Sequence, residues 1–202
     1  MRLFLSFNPG LAEIDQLIER QTRLRHAMES RTPTLADMVR WTRSNQFHLT
    51  MEFLGDLKRD ALNSISPLIA ETAKQVKAGA VIIDGIGSFP VYRAPQVLWL
   101  RVRQGDGLMA LQRRLRVQLT EAGMKFEAGY FPHITIGRLK KTRAPAMEVD
   151  AFCALVDQMT DELQNDPVSW PAKQLSLMQS RPATGGPEYR CLESYPVGDV
   201  EA

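Results

Sequence analysis

Two stretches of the sequence share one pattern, and that pattern decides the predicted fold. Residues 47–54 read Phe-His-Leu-Thr-Met-Glu-Phe-Leu, and residues 131–138 read Phe-Pro-His-Ile-Thr-Ile-Gly-Arg. Apolar and polar side chains alternate in both, as in a β-strand with one face against a core. Each stretch is therefore predicted to be a strand that presents a histidine and, two positions later, a threonine on the same face.

The alternation also predicts which side chains share a face. In the first stretch the core face is expected to carry Phe47, Leu49, Met51 and Phe53, opposite His48, Thr50 and Glu52. In the second stretch Ile134 and Ile136 are expected in the core, opposite Phe131, His133 and Thr135. The chain has 3 histidines, and two of them stand in these matched triplets, which favours an internal duplication. The third, His26, is expected on the surface of a helix.

The rest of the chain alternates between helical and strand patterns. Apolar spacing predicts helices over residues 11–24, 62–76, 108–119 and 150–163, with Pro67 starting or kinking the second and Gly123 ending the third. Short β-rich runs occupy residues 2–5, 81–84, 89–92, 97–102, 175–178 and 189–192. Short connections between several of them favour antiparallel pairing.

We therefore expect an α+β fold with a single domain over residues 1–202. It is expected to have two pseudo-symmetric lobes, each supplying one His-x-Thr motif. Their two related antiparallel sheets would carry helices on the outside and enclose a central groove. A doubly wound parallel sheet is the weaker alternative.

Composition excludes several classes of protein. The 202 residues are 44% hydrophobic and 24% charged, as in a globular chain, and the net charge of +2 excludes a polycation that coats nucleic acid. Cys153 and Cys191 lack the spacing of a zinc site or a disulfide framework, so two free thiols are expected. No apolar run is long enough to span a membrane, which predicts a cytoplasmic protein. We also expect the protein to be a monomer.

Other candidate motifs indicate no further chemistry. Residues 84–88 read Asp-Gly-Ile-Gly-Ser, which predicts a glycine turn without the ending of a phosphate loop, so no ATP site is expected. Two histidines and Glu52 are too few ligands for a metal site, and no metal or other cofactor is expected. The arginines of the third helix are expected to form a solvated face: Arg113, Arg114 and Arg116.

A pair of histidines suits phosphoryl transfer without a metal. One neutral imidazole takes a proton from the attacking oxygen, while the other, as imidazolium, gives one to the leaving oxygen. A threonine two residues on lies about 6–7 Å along the strand, where its hydroxyl can donate to a phosphate oxygen. A single histidine on a strand is more often structural, and the repeated triplet is what favours catalysis. Because the triplets are nearly symmetric, spacing does not assign acid and base.

The motifs resemble those of the two-histidine phosphoesterases, specifically the RNA 2′,3′-cyclic phosphodiesterases also called bacterial 2′-5′ RNA ligases. The resemblance spans nearly the whole chain and is carried by residues 2–5, 47–56, 97–100 and 131–138. It implies a bilobal α+β fold with both motifs facing a central groove. It also implies hydrolysis of a terminal 2′,3′-cyclic phosphate on RNA to a 2′-phosphate, without metal or ATP, and a possible reverse 2′-5′ ligation.

Carried over residue by residue, the resemblance implies that His48 is the proton donor and His133 the acceptor, with Thr50, Thr135 and Arg138 binding substrate. The sequence departs from the family at residues 45–47, and at Tyr130, where phenylalanine is usual; neither is expected to touch the histidine pair. The helix over residues 150–163 is longer than the family needs. A substrate such as a small cyclic nucleotide or a 2′-5′ oligoadenylate, with this helix narrowing the cleft, is one alternative. A noncatalytic RNA-binding module is the other.

Overall fold

The computed structural model describes residues 1–90, 95–127, 129–140, 145–184 and 186–198. Within these ranges the chain forms five α-helices and nine strands. The helices are α1 (Leu11–Arg31), α2 (Pro33–Met38), α3 (Arg59–Lys74), α4 (Asp106–Glu121) and α5 (Ala146–Asn165). The strands are β1 (Arg2–Phe7), β2 (Val39–Trp41), β3 (Leu49–Asp56), β4 (Ala80–Phe89), β5 (Val97–Val102), β6 (His133–Leu139), β7 (Val168–Pro171), β8 (Gln174–Arg181) and β9 (Glu188–Pro196). A single 3-10 turn covers Ser44–Gln46.

The strands form two antiparallel sheets. The first has the order β3-β1-β8-β9 and the second β2-β6-β5-β4-β7. This confirms the α+β class with antiparallel sheets, and the parallel alternative is wrong. The sheets do not follow the two halves of the sequence, because the predicted C-terminal hairpin β8–β9 returns to pair with β1 and completes the first sheet.

Apolar stripes on the helices pack against the sheets and form one continuous core. The stripe of α4, for example, consists of Leu108, Leu111, Leu115 and Leu119, all fully buried. Each such leucine contributes about 1.5–3 kcal/mol by leaving water. Gly123 ends this helix as predicted, with a φ of 91°, and the N–H of Met124 reaches back to the carbonyl of Leu119 at 3.0 Å.

All four predicted helices differ from their predicted bounds, α1 the most. Helix α1 continues to Arg31, where Pro33 both prevents further extension and starts α2. Helix α3 begins at Arg59, and Pro67 lies inside it rather than at its start. In α1 the added turns contain Met28, which is fully buried and continues the apolar period four residues after Leu24. The turn added to α3 begins with the exposed Arg59 and Asp60, which carry no apolar signal.

Helix α5 covers the second sheet. It packs against β4 and α1, with the backbone N–H of Ile86 donating to Thr160 Oγ1 at 3.1 Å. Ile86 pairs across the sheet with Leu100, and both are buried. The helix therefore covers the buried face of this sheet and does not narrow a cleft on the opposite face.

Residues 84–88 are not a turn. They lie within the continuous strand β4. Of the strand expected over residues 89–92, Phe89 is the last residue of β4 and Pro90 lies in a bend, whereas residues 91 and 92 lie outside the described ranges. A Cβ atom on Gly87 would lie 2.2 Å from Cη2 of Trp99 on the neighbouring strand β5. Glycine is required here because the indole crosses directly over the backbone.

His26 is exposed on α1, and both cysteines are free, as predicted. Among the described helices, none combines the length and the apolar character needed to cross a membrane.

Candidate active site

The two histidines are held in the same way. His48 directly precedes β3, and its Nδ1 lies 2.7 Å from the carbonyl oxygen of Gln46; Nδ1 of His133, at the start of β6, lies 2.8 Å from that of Phe131. A carbonyl only accepts, so each Nδ1 carries the proton and donates it to the residue two positions earlier. Nε2 is therefore the atom of each ring that is left for proton transfer.

A β-bulge follows each threonine. Ser6 of β1 pairs with Thr50 and Leu5 pairs with Glu52, so Met51 is an extra residue in β3. In β6, Trp99 pairs with Thr135 and Leu98 pairs with Gly137, which makes Ile136 the extra residue. A bulge reverses which later residues point to each face of a strand. We call the face that carries the histidine and threonine in each sheet its histidine face.

The bulges move three side chains from their predicted faces. Glu52 was expected beside His48 but is buried on the opposite face, and Phe53, expected in the core, is 62% exposed. Phe53 pairs with Phe4, whose ring lies 4.9 Å from His48, so it belongs to the histidine face. In β6 the bulge brings Arg138 to the same face as His133 and Thr135, where strict alternation would have pointed it into the core.

Burial lowers the pKa of both histidines below the ordinary value of 6.5. For His48 the bond to the Gln46 carbonyl partly opposes this effect, and the charge of His133 lowers the pKa further. For His133 the bond to Phe131 opposes burial, and Arg138 lowers the pKa further. The two rings and Arg138 therefore act on one another electrostatically, across the line where β3 and β6 meet.

Aromatic rings surround each histidine. His48 contacts Phe4 and the edge of Tyr189, at centroid distances of 4.9 and 5.0 Å. His133 lies 5.4 Å from Phe89, which packs in turn on Trp99 and Phe131. Tyr189 was absent from the predicted site, because it comes from the C-terminal hairpin and carries no motif of its own. Burial raises its pKa, while Arg138 lowers it, which places its hydroxyl within electrostatic range of the site.

A hydrogen-bonded network of partly buried polar side chains lies beside the two motifs and connects them. The Tyr130 hydroxyl donates to the backbone carbonyl of Thr50 at 3.1 Å, a contact with the first motif rather than with the histidine pair. Glu52 accepts two bonds from Arg116, at 2.7 and 2.9 Å, and one from Gln112 at 3.0 Å. Arg116 is therefore an ion-pair partner rather than part of a solvated face, whereas Arg113 and Arg114 are exposed as predicted.

The described residues contain no cluster of three or more His, Cys, Asp or Glu side chains with the arrangement of a metal site. Glu52, the third candidate ligand, faces away from His48 and is fully engaged by Arg116 and Gln112.

Comparison with known proteins places these features in a family. The model of the 2′-5′ RNA ligase superfamily matches residues 15–183, a range that contains both motifs. The chain belongs to this superfamily. Relatives in the superfamily include the RNA 2′,3′-cyclic phosphodiesterase of Methanothermobacter thermautotrophicus, 30% identical over 78% of this chain and 82% of the relative. That of Thermotoga maritima is 26% identical over 75% of this chain and 76% of the relative.

Solved structures share the superfamily fold. A Thermus thermophilus protein aligns with a TM-score of 0.72 at 23% identity, covering 98% of this chain and all 100% of the other. E. coli LigT in its apo form aligns with a TM-score of 0.68 at 22% identity, covering 98% of both chains. These alignments confirm the predicted two-sheet α+β architecture.

Proposed function

We propose that this protein is an RNA 2′,3′-cyclic phosphodiesterase that hydrolyses the terminal cyclic phosphate to a 2′-phosphate. The observation that carries the proposal is the matched pair of histidines, each with Nδ1 bonded to a backbone carbonyl and Nε2 left for proton transfer. The relatives of the preceding section, named as phosphodiesterases of this kind, support the same activity.

In the proposed reaction a water oxygen attacks phosphorus, and the bond from phosphorus to the 3′ oxygen breaks. His133 Nε2 accepts the proton from the water, and His48 Nε2 donates its proton to the departing 3′ oxygen. The turnover leaves His133 protonated and His48 neutral, and exchange with solvent restores both. If the 5′-hydroxyl of another strand replaces water, the same two transfers form a 2′-5′ bond.

The position of Arg138 supports the role of His133 as the base. Burial is the main cause of the lowered pKa of His133, and the nearby guanidinium lowers it further, which favours the neutral ring that a base requires. The pKa of His48 is also lowered, by burial and by the charge of His133, so its role as proton donor is proposed from the resemblance to the family. Thr50, Thr135 and Arg138 are proposed to hold the non-bridging phosphate oxygens, since all three share the histidine faces.

The alternative of a small cyclic substrate depended on α5 narrowing the cleft. Helix α5 instead covers the buried face of the second sheet, so this support for a small substrate is lost. Activity without metal or ATP, a monomeric state and a cytoplasmic location stay predictions. We infer activity without a metal because the two histidines supply both the acid and the base, so that no Lewis acid is needed.

The proposal is tested with an oligonucleotide that ends in a 2′,3′-cyclic phosphate, in excess EDTA and without ATP. We expect complete conversion, with the product identified as the 2′-phosphate by mass spectrometry and ³¹P NMR. A 3′-phosphate product would overturn the assigned bond cleavage. Activity that disappears on chelation and returns with one divalent metal would overturn the metal-independent chemistry.

A further inference from the structure

Two arginines stand side by side on the histidine face of the second sheet. Arg40 of β2 is the direct cross-strand partner of Arg138 of β6. Partners in antiparallel strands point to the same face, so Arg40 shares the face of His133 and Thr135. Both side chains are exposed, and neither has a carboxylate partner among the residues of the described ranges. Arg40 carries no motif of its own in the sequence.

Like charges directly opposite each other in a sheet are destabilising. Elsewhere in the same sheet, arginines of β5 and the segment after it are neutralised: Arg101 and Arg103 both bind the Asp84 carboxylate, at 2.8 and 3.0 Å. Arg40 and Arg138 have no such compensation within the described part of the chain. An anionic ligand would supply it, since guanidinium groups bind phosphate through paired hydrogen bonds.

The side chain of Arg40 reaches toward the other sheet. A Cβ atom on Gly186, in the loop between β8 and β9, would lie 3.7 Å from Arg40 Nη2. The same loop borders a cavity of about 260 Å³ that is lined by Arg43, Asn45, Gln46, Pro187, Glu188 and Tyr189. Two of these residues, Gln46 and Tyr189, contact His48. The Gln46 side-chain amide donates to the Pro187 carbonyl and joins the two walls. Arg40 therefore lies beside Arg138 and also reaches the loop that borders this cavity.

We propose that Arg40 binds the phosphodiester on the 5′ side of the terminal nucleotide of an RNA substrate, while Arg138 binds the reacting cyclic phosphate. This inference rests on the proposed function and refines its substrate class. A nucleoside 2′,3′-cyclic phosphate has no second phosphate and gains nothing from Arg40. The protein is accordingly an enzyme of RNA ends, with a preference for oligonucleotides over mononucleotides.

The test compares two substrates in the wild type and in Arg40→Gln. One is a mononucleoside 2′,3′-cyclic phosphate, and the other is a trinucleotide with the same terminal cyclic nucleotide. We expect the wild type to prefer the trinucleotide in kcat/KM, and Arg40→Gln to reduce that preference about tenfold, the effect of losing one hydrogen-bonded charge pair. The slope of log kcat/KM against log salt for the trinucleotide should become shallower by about 0.7, as expected for one fewer phosphate contact on a single strand.

Arg113→Gln is the matched control, because Arg113 is an exposed arginine that lines the separate groove between α3 and α4. It should leave both the preference and the salt slope unchanged. An equal loss on both substrates in Arg40→Gln, or an unchanged preference, would overturn the assignment. If the wild type hydrolyses neither substrate, the proposed function itself fails, an outcome distinct from failure of the Arg40 site.

Discussion

Tyr130 donates a hydrogen bond of 3.1 Å from its phenol to the carbonyl oxygen of Thr50. Tyr130 lies three residues before His133, and Thr50 lies two residues after His48, so this bond connects one motif directly to the other. Burial and the nearby Glu52 raise the pKa of Tyr130 far above its usual value of 10.0, so the phenol keeps its proton near neutral pH. The bond helps to set the separation of the two imidazoles.

Replacing Tyr130 by phenylalanine tests this role. Loss of one hydrogen bond should lower the free energy of unfolding by about 1 kcal/mol. We also expect kcat to fall about tenfold, since small displacements of catalytic groups cost up to about 10²-fold. Tyr195→Phe is the matched control, because Tyr195 bonds to Ser66 at 3.0 Å, away from both motifs. Equal kcat in the two variants would show that the Tyr130 bond is only structural.

The pair of Arg116 and Glu52 should contribute strongly to stability. The side chain of Glu52 is 6% exposed and that of Arg116 26%, so Arg116→Ala leaves a buried carboxylate without its cation. We expect a loss of about 3 kcal/mol in the free energy of unfolding, measured by urea denaturation. Arg113→Ala, an exposed arginine on the same helix, should change it by less than about 0.5 kcal/mol.

A double variant separates the ion pair from the packing of its side chains. In Glu52→Leu with Arg116→Leu no charge remains uncompensated, so most of the stability lost in Arg116→Ala should return. A double variant as unstable as Arg116→Ala would mean that the packing of the arginine stem, rather than its charge, is what the first substitution removed.

The histidines should be required for turnover but not for folding. His48→Ala and His133→Ala each delete one proton transfer, which should lower kcat by about 10²- to 10⁴-fold. His26→Ala, on the exposed face of α1, is the matched control and should retain full activity. Near-normal turnover in either catalytic variant, with circular dichroism unchanged, would contradict the paired acid and base.

The pH profile of kcat/KM should be bell-shaped, because one histidine must be neutral while the other is protonated. Burial lowers both pKa values in the free enzyme, so both limbs should lie below about 6.5, and activity should decline toward pH 8. Arg138→Gln removes a cation that lowers the pKa of His133, so the limb set by His133 should move to higher pH. If this limb does not move, Arg138 does not influence the pKa of His133.

The same shifts predict how stability depends on pH. The unfolded chain binds protons at histidine below about pH 6.5, whereas the folded protein binds them only at lower pH. The free energy of unfolding should therefore fall as pH drops through the window between about 6.5 and the lower folded pKa values. His48→Gln should flatten this part of the curve, because it removes one of the two groups. An unchanged slope would mean that His48 is not the group responsible.

Local sequence determined the elements that carry the site. Alternation over residues 47–54 and 131–138 predicted the strands, and the shared triplets His48 to Thr50 and His133 to Thr135 predicted the chemistry. These features follow from side-chain period and residue type within a few positions, which is the range over which a sequence pattern is informative. The buried stripes of the helices were predictable for the same reason.

Tertiary pairing decided what surrounds the histidines. The bulges at Met51 and Ile136 depend on the registers with β1 and β5, and they determine that Glu52 is buried while Phe53 and Arg138 share the histidine faces. Tyr189 reaches His48 only because β8 pairs with β1. Arg116 binds Glu52, and Arg40 lies opposite Arg138, although the two residues of each pair are far apart in the sequence. Such contacts arise when distant strands and helices pack together, and no local period encodes that packing.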